Sequence, residues 1–79
     1  MAICNLEEDL TVTERNRRRI LELVRIFQGK SDRGASLIKV MDEMSRGGLP
    51  RPEFPHYLIS LMREGLLFPV DEEHVRTAR

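Results

Sequence analysis

The feature that most restricts this chain is a change of period at Gly65. Upstream of it, apolar residues recur every three to four positions in three separate stretches. Downstream they sit in two short runs around a cluster of acids. A spacing of three and four stacks side chains on one face of a helix, whereas short runs bounded by proline and polar turns suit strands. Three helices followed by a hairpin is therefore the order the pattern imposes.

The first stretch predicts a helix over 12–28. Thr11-Val12-Thr13-Glu14 has the form of a capping box. In that motif the Thr hydroxyl accepts from one free backbone N–H and the Glu reaches back to another. Ile20, Leu23, Val24 and Phe27 form the buried stripe, and Gly29 is expected to close the helix in the left-handed conformation. A second helix is expected to start from Ser36 as N-cap, to bury Leu37, Val40, Met41 and Met44, and to stop at Gly47-Gly48. Residues 29–35 read as a polar loop. The third helix is placed from about Pro52–Pro55, since first-turn N–H groups lack helical partners and proline is tolerated there. Phe54, Tyr57, Leu58 and Leu61 make its stripe and Gly65 its end. Leu66-Leu67-Phe68-Pro69 reads as an edge strand. Asp71-Glu72-Glu73 reads as a turn, and His74-Val75-Arg76-Thr77-Ala78 as a second strand. Residues 1–10 read as a flexible leader or linker, and 11–79 as one domain. The expected fold class is mainly α with a small β-hairpin: a winged helix-turn-helix on a three-helix core.

Size and charge narrow the function classes. A core drawn from 79 residues is expected to give only about 3–5 kcal/mol of net stability, so a catalytic cleft with its own cofactor is not expected. Thirteen Lys+Arg balance thirteen Asp+Glu, which leaves no global field to attract a polyanion. The N-terminus lacks both a basic region and a long apolar run, which argues against a secretory signal or a spanning helix. Cys4 is the single cysteine, so no internal disulfide forms and a reducing intracellular setting, cytoplasm or nucleoid, is expected. His56 and His74 lack neighbours at metal-ligand spacing, and Cys4 lacks a nearby His. Gly29-Lys30-Ser31 has Val24 where a phosphate-binding loop needs its first glycine. No nucleophile–base pair emerges, and no catalytic residue, metal or cofactor is assigned.

Three surfaces are candidates for binding. With the third helix's stripe turned inward, His56, Ile59, Ser60 and Arg63 point outward. Base edges are read mostly by Arg, Lys, Asn and Gln. This face offers one Arg and a central Ile, which suits a protein partner, a thymine methyl or simply a solvated face. The wing tip carries Asp71, Glu72 and Glu73, where phosphate contact needs positive charge. It reads as a solubilising turn or as an acidic contact for a basic surface, with Arg76 and Arg79 left to make other contacts. On the first helix Arg15, Arg18, Arg19 and Arg25 project away from the apolar stripe. Glu22 is placed to pair with Arg18 at i, i+4. Basic residues near a helix N-terminus oppose its dipole, so this face is either a phosphate or acidic-protein contact or a solvated surface.

Residues 50–78 resemble the C-terminal end of the archaeal minichromosome maintenance (MCM) replicative helicases. The resemblance rests on Leu61-Met62-Arg63-Glu64-Gly65 closing a helix, then Leu67-Phe68-Pro69, a turn, and His74-Val75-Arg76. Arg17-Arg18-Arg19-Ile20-Leu21-Glu22-Leu23-Val24 is similar to the helix that opens that domain. The family often has Glu before the proline and Gly in the turn, where this chain has Phe68 and Val70-Asp71-Glu72-Glu73. The resemblance implies a non-enzymatic regulatory module of an ATP-dependent DNA helicase, one that modulates ATPase and unwinding. The implied partners are the motor domains of the same chain or a loading factor, with weak DNA contact and no membrane. The residues themselves also leave open a winged-helix transcription regulator, which would bind a defined duplex, and a protein-interaction adaptor centred on Ile59.

Overall fold

A computed structural model describes residues 11–77. Its elements, in order, are α1 (Val12–Gln28), β1 (Ala35–Ser36), α2 (Leu37–Arg46), a 3-10 turn (Arg51–Glu53), α3 (Phe54–Arg63), β2 (Leu67–Pro69) and β3 (His74–Thr77). The strands form one antiparallel sheet in the order β1-β3-β2, with Ala35 opposite Val75 on one side and Phe68 opposite Arg76 on the other. Three helices with this small sheet give a mainly helical, winged-helix-like fold. The leader expected at 1–10, with Cys4, lies outside the described residues, as do Ala78 and Arg79.

The three helices contribute the apolar faces their spacing foretold. Ile20, Leu23 and Val24 of α1 meet Val40 and Met44 of α2 and Phe54 and Leu61 of α3. Leu49, Ala35, Leu67 and Val75 close the core from the loop and the sheet. Phe27, Leu37, Met41, Tyr57 and Leu58 pack around its rim. Apolar area removed from water at roughly 25 cal/mol per Å² is what holds these layers together. No described helix is long and apolar enough to cross a membrane.

The helix ends depart from expectation in three places. At Thr11 the hydroxyl does accept from Glu14 N–H, at 3.1 Å, but no bond returns from Glu14 to the Thr11 N–H, so only half of the capping box forms. Gly29 ends α1 with φ −71°, in the right-handed region rather than the left-handed one. The chain continues through a turn in which Lys30 N–H donates to Phe27 O at 3.0 Å, and the reversal falls later, at Gly34, with φ +95°. Ser36 does occupy the N-cap of α2, yet its side chain makes no capping bond. Instead Leu37 N–H donates to Glu73 O of the wing at 2.8 Å. The wing backbone thus satisfies one of the open donors at the start of α2. Ala35, expected in the polar loop, is instead a strand residue with Ser36, paired with Val75 and His74 of β3, which makes β3 the central strand of three.

Candidate functional site

α1 and α3 are joined by a polar clamp made from consecutive residues of α1. Asn16 Nδ2 donates to Tyr57 Oη at 3.0 Å. Arg17 bonds Ser60 Oγ at 3.4 Å and forms an ion pair with Glu64. Ser60 was expected to face outward, but it is half-buried and also bonds the Glu64 carboxylate. Residue 17 lies at the edge of the buried stripe, so its guanidinium reaches across to α3 instead of into solvent. Shallow grooves run on both sides of this bridge. One is lined by His56, Ile59, Ser60, Arg63 and Glu64. The other is lined by Glu14, Arg17, Arg18, Leu21 and Leu66.

The outer face of α3 brings together three of the expected residues. His56, Ile59 and Arg63 are exposed along one side of the helix, and Ile59 keeps 54% of its surface accessible. The face displays one guanidinium, one imidazole and an apolar centre.

The wing is held by its own acids. Asp71 Oδ1 accepts from Glu73 N–H at 2.7 Å and from His74 Nδ1–H at 2.8 Å. Its pKa is lowered from 3.8, first by the His74 bond, then by the Glu73 N–H. Of the three acids, Asp71 is therefore turned inward onto the turn, while Glu72 and Glu73 display their carboxylates to solvent. The role of Asp71 and His74 in closing the turn was missed from the sequence, although an Asp two residues before the N–H it accepts from is a known turn pattern. Arg76 is exposed on β3 opposite Phe68, itself 44% exposed, so the outer sheet face is a cation beside an aromatic ring.

Arg15, Arg18, Arg19 and Arg25 are all exposed on α1, away from the core. The expected Arg18–Glu22 pair does not form. Among the described residues, Arg17 pairs with Glu64, Arg46 with Glu43 and Arg51 with Asp42. The outward arginines belong to α1, whereas the His56, Ile59 and Arg63 face belongs to α3 and the acids to the wing. Gly29-Lys30-Ser31 lies just past a helix C-terminus, where the dipole repels anions, whereas a phosphate loop leads into a helix N-terminus. Among the described residues no group of three His, Cys, Asp or Glu is placed to hold a metal. Comparison with family models, with curated proteins and with solved structures finds no match for this chain.

Proposed function

We propose that the chain is a regulatory winged-helix module of an MCM-type replicative DNA helicase, which acts by docking the outer face of α3 on the motor domains or on a loading factor. The observation that carries this reading is the composition of that face. Ile59 stands half-exposed between His56 and Arg63, in the position where a sequence-reading winged helix needs several donors and acceptors for base edges. An apolar centre with a polar rim is the anatomy of a protein contact. The wing supports the same view: Glu72 and Glu73 at its tip oppose a phosphate backbone. The sequence resemblance supplies the motor as partner.

Docking can shift the motor's conformational balance only by the difference in contact energy between its two states. Replacing Ile59 by Asp in the helicase that bears this module should therefore change its ATPase and unwinding rates. The substitution lies on the surface and should leave the melting temperature of the module within a few degrees. Unchanged rates, both for Ile59→Asp and on removal of the module, would sink the reading.

A further inference from the structure

The basic face of α1 is distinct from the α3 surface and has its own physical logic. Arg18, Arg19 and Arg25 are exposed, and among the described residues no ion pair or side-chain hydrogen bond engages them. Glu22 stands among them, four residues after Arg18 and three after Arg19, yet it pairs with neither. Elsewhere arginines do find acids at comparable or longer reach, as Arg51 does with Asp42 at 3.0 Å. Local rules are broken in this way mainly where a surface has a use.

We infer that this face of α1 binds the phosphate backbone of duplex DNA, without reading sequence. Guanidinium groups match phosphate oxygens with paired donors. Arg18 and Arg25 are separated by about 10 Å along the axis at 1.5 Å per residue, so a straight helix presents a rigid row of cations to a regular row of phosphates. A protein partner fits less well. The middle of the face, Arg18, Glu22 and Arg25, is entirely charged, and apolar side chains only flank it, Ile26 toward the C-terminal end and Leu66 across the groove beside Arg18. Protein contacts centre on a buried apolar or aromatic anchor. The module would then meet DNA through α1 rather than through α3 and the wing. This inference does not depend on what α3 docks against.

The test is amide NMR of the whole chain, titrated with a mixed-sequence duplex at about 50 mM and about 200 mM salt. Shifts are expected at Arg18, Arg19, Glu22 and Arg25, with little change at Ile59 or Glu72. Three phosphates neutralised at about 0.9 each imply an affinity loss of roughly 40-fold across that salt range. In Arg18→Gln/Arg19→Gln/Arg25→Gln the loss should fall below about threefold. These side chains bear no structural bonds, so the melting temperature reports whether the variant folds. Shifts centred on His56, Arg63 or the wing would overturn the inference. So would an unaltered salt response in the triple variant, or shifts on this face with an acidic peptide but none with duplex.

Discussion

Gln28, the last residue of α1, and Thr77, near the end of the central strand β3, exchange two hydrogen bonds. Thr77 N–H donates to Gln28 Oε1 at 2.8 Å, and Gln28 Nε2 donates to Thr77 Oγ1 at 2.9 Å. The side-chain amide thus imitates one rung of a sheet, and it ties the far end of the first helix to the last strand. Thr77 is almost fully buried, so the bond is shielded from water.

Gln28→Ala is expected to lower unfolding free energy by about 1–3 kcal/mol, the cost of leaving buried polar groups unpaired. Thr77→Val keeps the backbone bond and removes only the hydroxyl, so its cost should be smaller, about 1 kcal/mol. Urea denaturation of both single variants and the double variant gives the coupling directly. A coupling indistinguishable from zero would mean that this contact does not hold α1 to the sheet.

Gly34 and Gly48 both adopt positive φ, +95° and +106°, yet they should respond differently to alanine. A Cβ at Gly34 would sit 2.8 Å from the carbonyl oxygen of Val75 and 3.2 Å from Val70 Cγ2, whereas at Gly48 it would meet nothing within 4 Å. Gly48→Ala should cost only the left-handed strain, about 1 kcal/mol. Gly34→Ala adds a backbone collision where β1 meets β3 and should cost clearly more, with amide exchange rising at Val75 and His74. Equal costs for the two in urea melts would show that the β1–β3 edge yields freely.

The contrast between these two glycines also shows what the sequence could and could not convey. Long stripes were legible: α1 spans 12–28 as expected, and the stripes of α2 and α3 and the hairpin lie where their spacing put them. What escaped is non-local. β1 is two residues long and has no period of its own. It is a strand because β3 passes beside it, with Ala35 opposite Val75. The same holds for the clamp. Asn16 and Arg17 look like two more polar residues on a basic helix, and only the approach of α3 gives them Tyr57, Ser60 and Glu64. The exposed candidates, in contrast, could be read from helical geometry alone. His56, Ile59, Arg63 and the outer arginines of α1 are all at the surface, because exposure follows from the angle to the buried stripe.

The wing should carry an acid-sensitive element. Asp71 has its pKa lowered in the folded chain by the His74 and Glu73 N–H bonds. A depressed carboxyl stabilises the fold above its unfolded pKa, and that contribution disappears as pH falls through the folded value. Stability should therefore decline as pH falls through and below the ordinary carboxylate range, with the unfolded state binding the extra proton. Asp71→Asn retains an oxygen to accept the Glu73 N–H but removes the titration. Its pH profile from thermal melts should be flatter over that window, and a profile parallel to the parent's would show that Asp71 has no such role.

Arg17 and Glu64 offer a test of which part of a charged side chain matters. Their ion pair is partly open to solvent, with side-chain exposures of 25% and 47%, so salt screens it and its value should stay below about 1 kcal/mol. The Arg17 stem is a separate matter, since it is half-buried and lines the groove with Leu21 and Leu66. Apolar stems of long cations contribute through packing as well as charge. Glu64→Gln should thus cost little, and less still at high salt. Arg17→Ala should cost more at every salt concentration, and Arg17→Met should recover most of the difference. Urea melts at low and high salt distinguish the two contributions. A full loss in Arg17→Met equal to that in Arg17→Ala would assign the clamp to its charge and refute the packing account.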